Sequence, residues 1–185
     1  MLQLSEQVMP RSTVKIEARN AGIAASAVVL AFLASPSQAQ QGPFVGLAGS
    51  WAGSGTIGMS NGTRERIRCR ASYAVSGRGS SLQQSLRCAS DSYRFELSSD
   101  VRYAAGDISG NWSEATRGIG GSLSGIASMS DIRARVEGPG FAANLLLVTR
   151  GDHQSVSLRT SSGDITEVAI TLSRGGGERG RSGKN

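Results

Sequence analysis

The sequence predicts an all-β protein, an antiparallel up-and-down β-barrel of eight to ten strands that follows an N-terminal signal peptide. Three observations predict this fold. Apolar and polar residues alternate in many short stretches, turn residues separate these stretches at even spacing, and no helical pattern stands out after residue 39. Short connections favour pairing between consecutive strands, and closure into a barrel removes the exposed edges of the sheet.

The first 39 residues have the order of a secretory signal peptide. A segment with arginine and lysine precedes residues 21–35, which are uncharged and mostly apolar, and Ser37-Gln38-Ala39 fits a small-x-small cleavage site. A membrane span needs about 20 apolar residues, so an uncleaved anchor is the weaker alternative. Arginine far outnumbers lysine, as in proteins of GC-rich bacteria. We therefore expect a periplasmic or secreted bacterial protein.

Residues 40–174 form the predicted barrel domain. Its strand-like stretches, in order, are 47–58, 67–75, 82–88, 93–97, 108–114, 122–129, 132–136, 141–149, 156–158 and 165–173. Residues 101–103 either continue the fourth stretch or form a short strand of their own. Turn residues such as Asn61-Gly62 separate the stretches, and residues 116–121 are predicted to form a glycine-rich loop.

Cys69 and Cys88 lie symmetrically about a predicted turn. The stretches 67–75 and 82–88 each carry apolar side chains on one face, both cysteines belong to those faces, and their midpoint falls in the turn at residues 76–80. Two cysteines in an exported domain usually pair. The pattern predicts a hairpin held by a Cys69–Cys88 disulfide with a structural role, because no CxxC spacing suggests redox chemistry.

Charge limits the partners that we expect. The formal net charge is +6, but part of it comes from residues 175–185, which are rich in arginine and glycine and should be disordered. Export would also place the protein where nucleic acid is scarce, so we expect no nucleic-acid partner. The tail could contact anionic groups of the cell envelope, or it could simply be solvated.

Many outward positions of the predicted strands are charged, and this argues against the rival interpretation, a membrane-spanning barrel. A charge near the bilayer midplane costs roughly 2–4 kcal/mol, and an outer-membrane barrel needs an apolar outer face. We therefore expect a soluble barrel with its apolar face turned inward, which does not span a membrane once processed. The charged outward residues are Arg66, Arg68, Arg70, Arg94, Glu96, Arg133 and Arg135.

The first strand contains Gly49-Ser-Trp51-Ala-Gly53-Ser-Gly55, a stretch of the form GxWxGxG. In this the chain resembles the calycin-like barrels: lipocalins, avidins and fatty-acid-binding proteins open with GxW, and nitrobindin-like haem barrels open with GxWxGxG. The resemblance implies a barrel with a ligand cavity. It also implies that Trp51 closes the barrel floor and that a basic side chain of the last strand, here Arg174, packs across it in a cation–π contact of about 1 kcal/mol.

Few residues of this chain suit catalysis. Its single histidine, His153, lies beside a turn, and pairing of the two cysteines would leave no free thiol. His153 could hold haem, as the nitrobindin-like resemblance implies, but a lone histidine beside a turn is more often solvated. The sequence also lacks a metal-ligand cluster. We therefore expect that the protein is not an enzyme and that it has no cofactor and no metal.

The residues suit ligand binding better. Trp112, Tyr73, Tyr93 and Phe95 are large aromatic residues at inward positions, and small inward residues elsewhere leave room between them. Glu114 shares the face of Trp112 and could point into the barrel mouth. The alternative for Glu114 is a rim carboxylate that pairs with Arg117.

The sequence therefore favours an exported barrel that binds a small apolar or amphipathic ligand in its interior, at Trp112, Tyr73, Tyr93, Phe95 and Glu114. The alternative is a barrel with a filled core that acts through its arginine-rich outer face, as a structural or inhibitor-type envelope protein. A continuous cavity of about 300 Å³ or more beside Trp112 and the tyrosines would distinguish the first from the second.

Overall fold

The computed structural model describes residues 41–160 and 163–175, and within them the chain forms ten strands and no α-helix. The all-β prediction is confirmed. The predicted signal peptide, and all but the first residue of the predicted tail, lie outside the described residues. The strands are β1 (Gly49–Met59), β2 (Arg64–Ser76), β3 (Ser81–Ala89), β4 (Arg94–Ala104), β5 (Asp107–Glu114), β6 (Ile119–Ala127), β7 (Asp131–Gly138), β8 (Phe141–Arg150), β9 (His153–Thr160) and β10 (Ile165–Arg174).

The ten strands close into one barrel. Each strand pairs antiparallel with the next along the chain, and β10 pairs with β1, where Trp51 lies opposite Arg174. The predicted up-and-down barrel is confirmed, at the upper limit of the predicted strand count. Residues 101–103 continue β4. No helix in the described part of the chain is long and apolar enough to cross a membrane.

The alternation of β2 produces its two faces. Ile67, Cys69, Ala71 and Tyr73 are buried inside the barrel, whereas the residues between them are exposed. Cys69 lies directly opposite Cys88 of β3, and the two form a disulfide, as the predicted hairpin requires. A bridge across a loop of about 20 residues stabilises the fold by roughly 3 kcal/mol, chiefly by restricting the unfolded chain.

The glycine-rich stretch at residues 116–121 differs from the prediction, because Ile119 already begins β6. The loop is therefore shorter than expected. Gly121 belongs to the strand, and a Cβ atom on it would lie 1.8 Å from the carbonyl oxygen of Glu137 in β7. Glycine at this position allows two strands to approach closely, rather than making a loop flexible.

Gly53 and Gly55 of β1 have the same role where the barrel closes. A Cβ atom on either glycine would lie 2.0 Å from a carbonyl oxygen of β10, that of Thr171 or that of Ala169. Since a side chain with a Cβ atom cannot occupy that space, these glycines permit the pairing of the first strand with the last.

Residues 42–47 close one end of the barrel, which we call the floor. Backbone N–H groups of this segment donate to the carbonyl oxygens of Arg78 and Gly79, in the turn between β2 and β3. The ring of Phe44 is fully buried and meets Tyr103 edge to face, with 6.4 Å between the ring centroids. The segment is therefore fixed by both backbone and side-chain contacts.

Trp51 and Arg174 complete the floor, where they were expected. The indole Nε1–H of Trp51 donates to the carbonyl oxygen of Leu47 at 2.8 Å, and the guanidinium carbon of Arg174 lies 4.3 Å from the centroid of the indole. Arg174 also donates to the carbonyl oxygens of Gly46 and Ala48. The guanidinium thus connects the floor segment to the last strand.

The interior is divided between the two ends of the barrel. Toward the floor, buried apolar side chains fill the space, among them Leu82, Val101, Ile108 and Ile132. The opposite end, which we call the mouth, carries the turns at residues 60–63, 90–93, 115–118, 139–140 and 163–164.

Candidate functional site

A cavity of about 370 Å³ extends from the mouth into the barrel as far as Tyr73, Leu147 and Leu172. Small-molecule sites in proteins have volumes of about 300–1,000 Å³. Every strand except β1 contributes to its lining, which is mostly apolar. The interior is therefore not completely filled. The alternative from the sequence, a barrel with a filled core, required that it be filled. Apolar lining residues include Leu86, Leu97, Leu145, Leu158 and Val168.

Two aromatic rings and a guanidinium form one side of the mouth. The rings of Tyr93 and Phe95 are nearly parallel, with centroids 6.2 Å apart. The guanidinium carbon of Arg117 lies 5.0 Å from the centroid of Phe95, and the Arg117 side chain is 42% exposed. This arrangement gives the mouth an apolar surface with a cation at its outer edge.

Trp112 forms another part of the wall. Its indole Nε1–H donates to the carbonyl oxygen of Glu137 at 3.0 Å. Gly138 provides the space for the ring, because a Cβ atom there would lie 2.9 Å from the indole Cζ2. The half-buried ring is therefore held in one orientation, with part of its surface facing the cavity.

Glu114 is a buried carboxylate at the mouth, only 3% exposed. Its Oε1 accepts hydrogen bonds from the backbone N–H groups of Glu96 and Thr116, both at 3.0 Å, and from the hydroxyl of Thr116. Its Oε2 accepts from the backbone N–H of Arg117 at 2.8 Å and lies 3.7 Å from the Arg117 guanidinium. The carboxylate thus holds the loop after β5, as the rim alternative described.

The hydrogen bonds of Glu114 determine its charge state. Burial raises the pKa of the carboxyl, but the hydrogen bonds from the Thr116 hydroxyl and from the N–H groups of Glu96, Thr116 and Arg117 outweigh burial and lower the pKa to about 2. Glu114 is therefore ionised at neutral pH. Its oxygen atoms accept hydrogen bonds from the loop and from Glu96 of β4, so the main effect of Glu114 is to fix the shape of the mouth.

A set of polar side chains on β2, β3, β4, β8 and β9, which we call the polar girdle, is joined in part by hydrogen bonds inside the barrel. It consists of Tyr73, Gln84, Ser99, Thr149 and Gln154. In the ladder, Gln84 lies opposite both Tyr73 and Ser99. The Tyr73 hydroxyl donates to Gln154 Oε1 at 2.8 Å, the Gln154 amide donates to the Thr149 hydroxyl at 3.2 Å, and the Ser99 hydroxyl donates to Gln84 Oε1 at 3.1 Å.

Tyr73 remains neutral inside the barrel. Burial raises the pKa of its hydroxyl well above the usual 10, and the hydrogen bond to Gln154 offsets this only in part. The hydroxyl therefore keeps its proton and acts as a fixed hydrogen-bond donor to Gln154.

The structure brings the five sequence-predicted ligand residues into the lining of this one cavity. The lining also contains polar and charged residues that were not among them, including Gln84, Ser99 and Arg117. Gln84 and Ser99 occupy inward positions of strands whose other inward residues are mostly apolar. A polar residue at such a position is the signal that could have identified them.

His153 is exposed on the outside of β9 and does not line the cavity. It is therefore not placed to hold a group inside the barrel, which removes the basis for haem binding through this residue. Within residues 41–160 and 163–175, no group of three or more histidine, cysteine, aspartate or glutamate side chains could hold a metal ion.

Comparison with solved structures finds a similar barrel fold in other proteins. The chain is similar to the S-type phycobiliprotein lyase CpeS of Guillardia theta, with 12% identity, a TM-score of 0.53, and coverage of 71% of this chain and 89% of the other. It is also similar to Rv2717c of M. tuberculosis, with 16% identity, a TM-score of 0.60, and coverage of 73% and 99%. Both are ten-stranded antiparallel barrels.

The comparisons leave the finer assignment open. No family model matches the sequence, and no curated protein matches it. Identities of this size establish the shape of the barrel and nothing about its ligand. Membership of a particular calycin group, such as the lipocalins, avidins or nitrobindin-like barrels, stays a prediction.

The expectation that the protein is not an enzyme is contradicted by the comparison, because one of the similar structures is a phycobiliprotein lyase. That expectation rested on the small number of acids, bases and nucleophiles in the chain. Such a count describes the side chains and gives no information about what barrels of this shape do.

Glu114→Gln is expected to lower the free energy of unfolding by about 3 kcal/mol at pH 7, since the pKa of the carboxyl falls from its usual 4.5 to about 2 on folding. A lowered pKa stabilises the fold above pH 4.5, and this contribution is lost as the pH falls toward 2. Urea unfolding between pH 7 and pH 2 should therefore give a flatter profile for the variant.

Glu137→Gln is the matched control, because Glu137 is 54% exposed and pairs with Arg135 on the surface. A change of less than about 0.5 kcal/mol is expected for it. Equal losses in the two variants would contradict the role assigned to Glu114.

Proposed function

We propose that this protein binds a small, mostly apolar molecule inside the barrel, in the cavity that opens at the mouth. The observation that carries the proposal is the cavity of about 370 Å³ with apolar walls in a closed barrel. Barrels of about this size can enclose one small ligand, and apolar cavities with a few polar groups are the usual form of such sites. Trp112, Tyr93 and Phe95 would provide the aromatic contacts.

The mouth supports entry of a ligand from outside. Arg117, Phe95 and Ile119 line the cavity near the mouth, and Arg117 and Ile119 are also exposed to solvent. The hydrogen bonds of Glu114 hold the loop that carries Arg117, so the opening is preformed. Binding of this kind includes the case in which the bound molecule also reacts, and the likeness to a lyase is compatible with that case.

Export of the protein is part of the proposal. The inward-facing Cys69–Cys88 disulfide supports it, because such bridges persist in oxidising compartments. The signal-peptide pattern of residues 1–39 supports it from the sequence. The proposed location is the periplasm or the exterior of a bacterial cell, after cleavage behind Ala39.

A fluorescent probe tests the proposed binding. N-phenyl-1-naphthylamine is uncharged and apolar, and its emission rises in apolar surroundings. We expect a saturable increase at one probe per chain. Leu158→Trp, which places a large ring in the cavity, should weaken binding at least tenfold, because it removes the space that the probe needs.

Ser155→Trp is the control for this variant, because Ser155 lies on the exposed face of the same strand. It should leave the dissociation constant unchanged, and thermal melts should show that both variants fold. Equal binding of the probe by the wild type and both variants would contradict a site inside the barrel.

A second candidate function uses the outer wall formed by β2, β3 and β4. Seven exposed arginines lie there, and Arg70 lies directly opposite Arg87, a pairing of like charges that destabilises a sheet. Among the described residues, no carboxylate lies within 4.0 Å of Arg66, Arg68 or Arg70, and Arg87 contacts Glu96 at 4.0 Å. The wall would suit an anionic surface of the cell envelope. Its arginines are Arg64, Arg66, Arg68, Arg70, Arg87, Arg94 and Arg102.

Co-sedimentation with vesicles tests this second function. Vesicles with about a third of anionic phosphatidylglycerol should bind the wild type, and removal of three arginines by Arg66→Gln, Arg68→Gln and Arg70→Gln should weaken binding at least tenfold. The control removes the same charge elsewhere, by Arg133→Gln, Arg135→Gln and Arg159→Gln. Equal effects of the two triple variants would mean that net charge, and not this wall, is responsible.

A further inference from the structure

Among the described residues of the polar girdle, one side-chain N–H donor without a protein acceptor borders the cavity, the amide nitrogen of Gln84. Gln84 Oε1 accepts from the Ser99 hydroxyl at 3.1 Å, whereas Nε2 has no protein acceptor among the described residues. Fully buried side-chain nitrogen and oxygen atoms in the described part of the chain all have partners. The Gln84 nitrogen is therefore accessible, and the space that its side chain lines is the cavity.

Gln154 provides a contrast within the same girdle. It is 1% exposed, its oxygen accepts from Tyr73, and its nitrogen donates to Thr149. Both ends of that amide are occupied by the protein. Gln84 therefore differs from Gln154 in having a donor left over, and it is the girdle amide that lines the cavity.

The charges around the cavity limit what Gln84 can bind. The charged side chains in the described lining are Glu114, Arg117 and Asp164, and all three belong to the mouth. Among the described lining residues, no cation lies beside Gln84 at the inner end of the cavity. A carboxylate or phosphate bound there would be buried without a counter-charge, which is costly in a surrounding of low dielectric constant.

We infer that the ligand is an uncharged, largely apolar molecule with one hydroxyl or carbonyl oxygen. This oxygen lies at the inner end of the cavity, away from the mouth, and accepts a hydrogen bond from Gln84 Nε2. This inference rests on the proposed function and names the chemical class of its ligand. The apolar remainder of the molecule extends along Leu86, Leu145 and Leu158 toward the mouth. One polar contact fixes the orientation of the ligand, and the apolar walls provide most of the affinity.

Three probes of equal chain length test the inference: decan-1-ol, decane and decanoate, each measured by displacement of N-phenyl-1-naphthylamine. In the wild type, decan-1-ol should bind more tightly than decane and decanoate. Gln84→Leu should weaken decan-1-ol about three- to tenfold, the effect of one neutral hydrogen bond, and leave decane unchanged or tighter. Gln84→Met is a second variant in case the first does not fold.

Gln83→Leu is the matched control, because Gln83 is exposed on the outer face of the same strand. It should change none of the three affinities. If the naphthylamine does not bind the wild type at all, the proposed function fails and the inference fails with it. If the probes bind but Gln84→Leu affects decan-1-ol and decane equally, the inference is overturned while the proposed function stands. Tightest binding by decanoate would also overturn it, because an anion would then be the preferred ligand.

Discussion

Closure of ten strands into a single ring is the constraint on which the rest of the structure depends. An eight-stranded barrel has an interior that side chains can just fill, and the diameter increases with the number of strands. Ten strands of this chain therefore enclose more volume than its many small inward residues occupy. The close approach of β1 and β10 at Gly53 and Gly55 makes this closure possible. The cavity is thus a consequence of the ring.

The two ends of the barrel have different structural roles. At the floor, residues 42–47, Trp51 and Arg174 close the ring and support a filled apolar core. At the mouth, Glu114 holds a loop through backbone hydrogen bonds, so the opening keeps its shape without being filled. A stable core at the floor and a cavity that opens at the mouth are therefore combined in one barrel, and polar side chains such as Gln84 line the cavity.

The fold was predictable from the sequence, because period-two alternation and turn residues are local signals. The Cys69–Cys88 pairing was predictable for the same reason, since a hairpin fixes its own register. The small and aromatic inward residues favoured a cavity, but its volume was not predictable, because the space left in a barrel depends on all inward side chains together. The contact between Tyr73 and Gln154 joins residues 81 positions apart, and no local pattern indicates it. Likewise, the function of a barrel depends on the site and not on the fold.

Native mass spectrometry of the protein isolated from the cells that produce it tests whether the barrel holds a ligand. We expect one additional small-molecule mass per chain, which disappears when the chain is denatured. The mass of the denatured chain reports at the same time whether residues 1–39 have been removed. A folded chain that carries no additional mass in repeated preparations would contradict the claim that the barrel is hollow in order to hold a ligand.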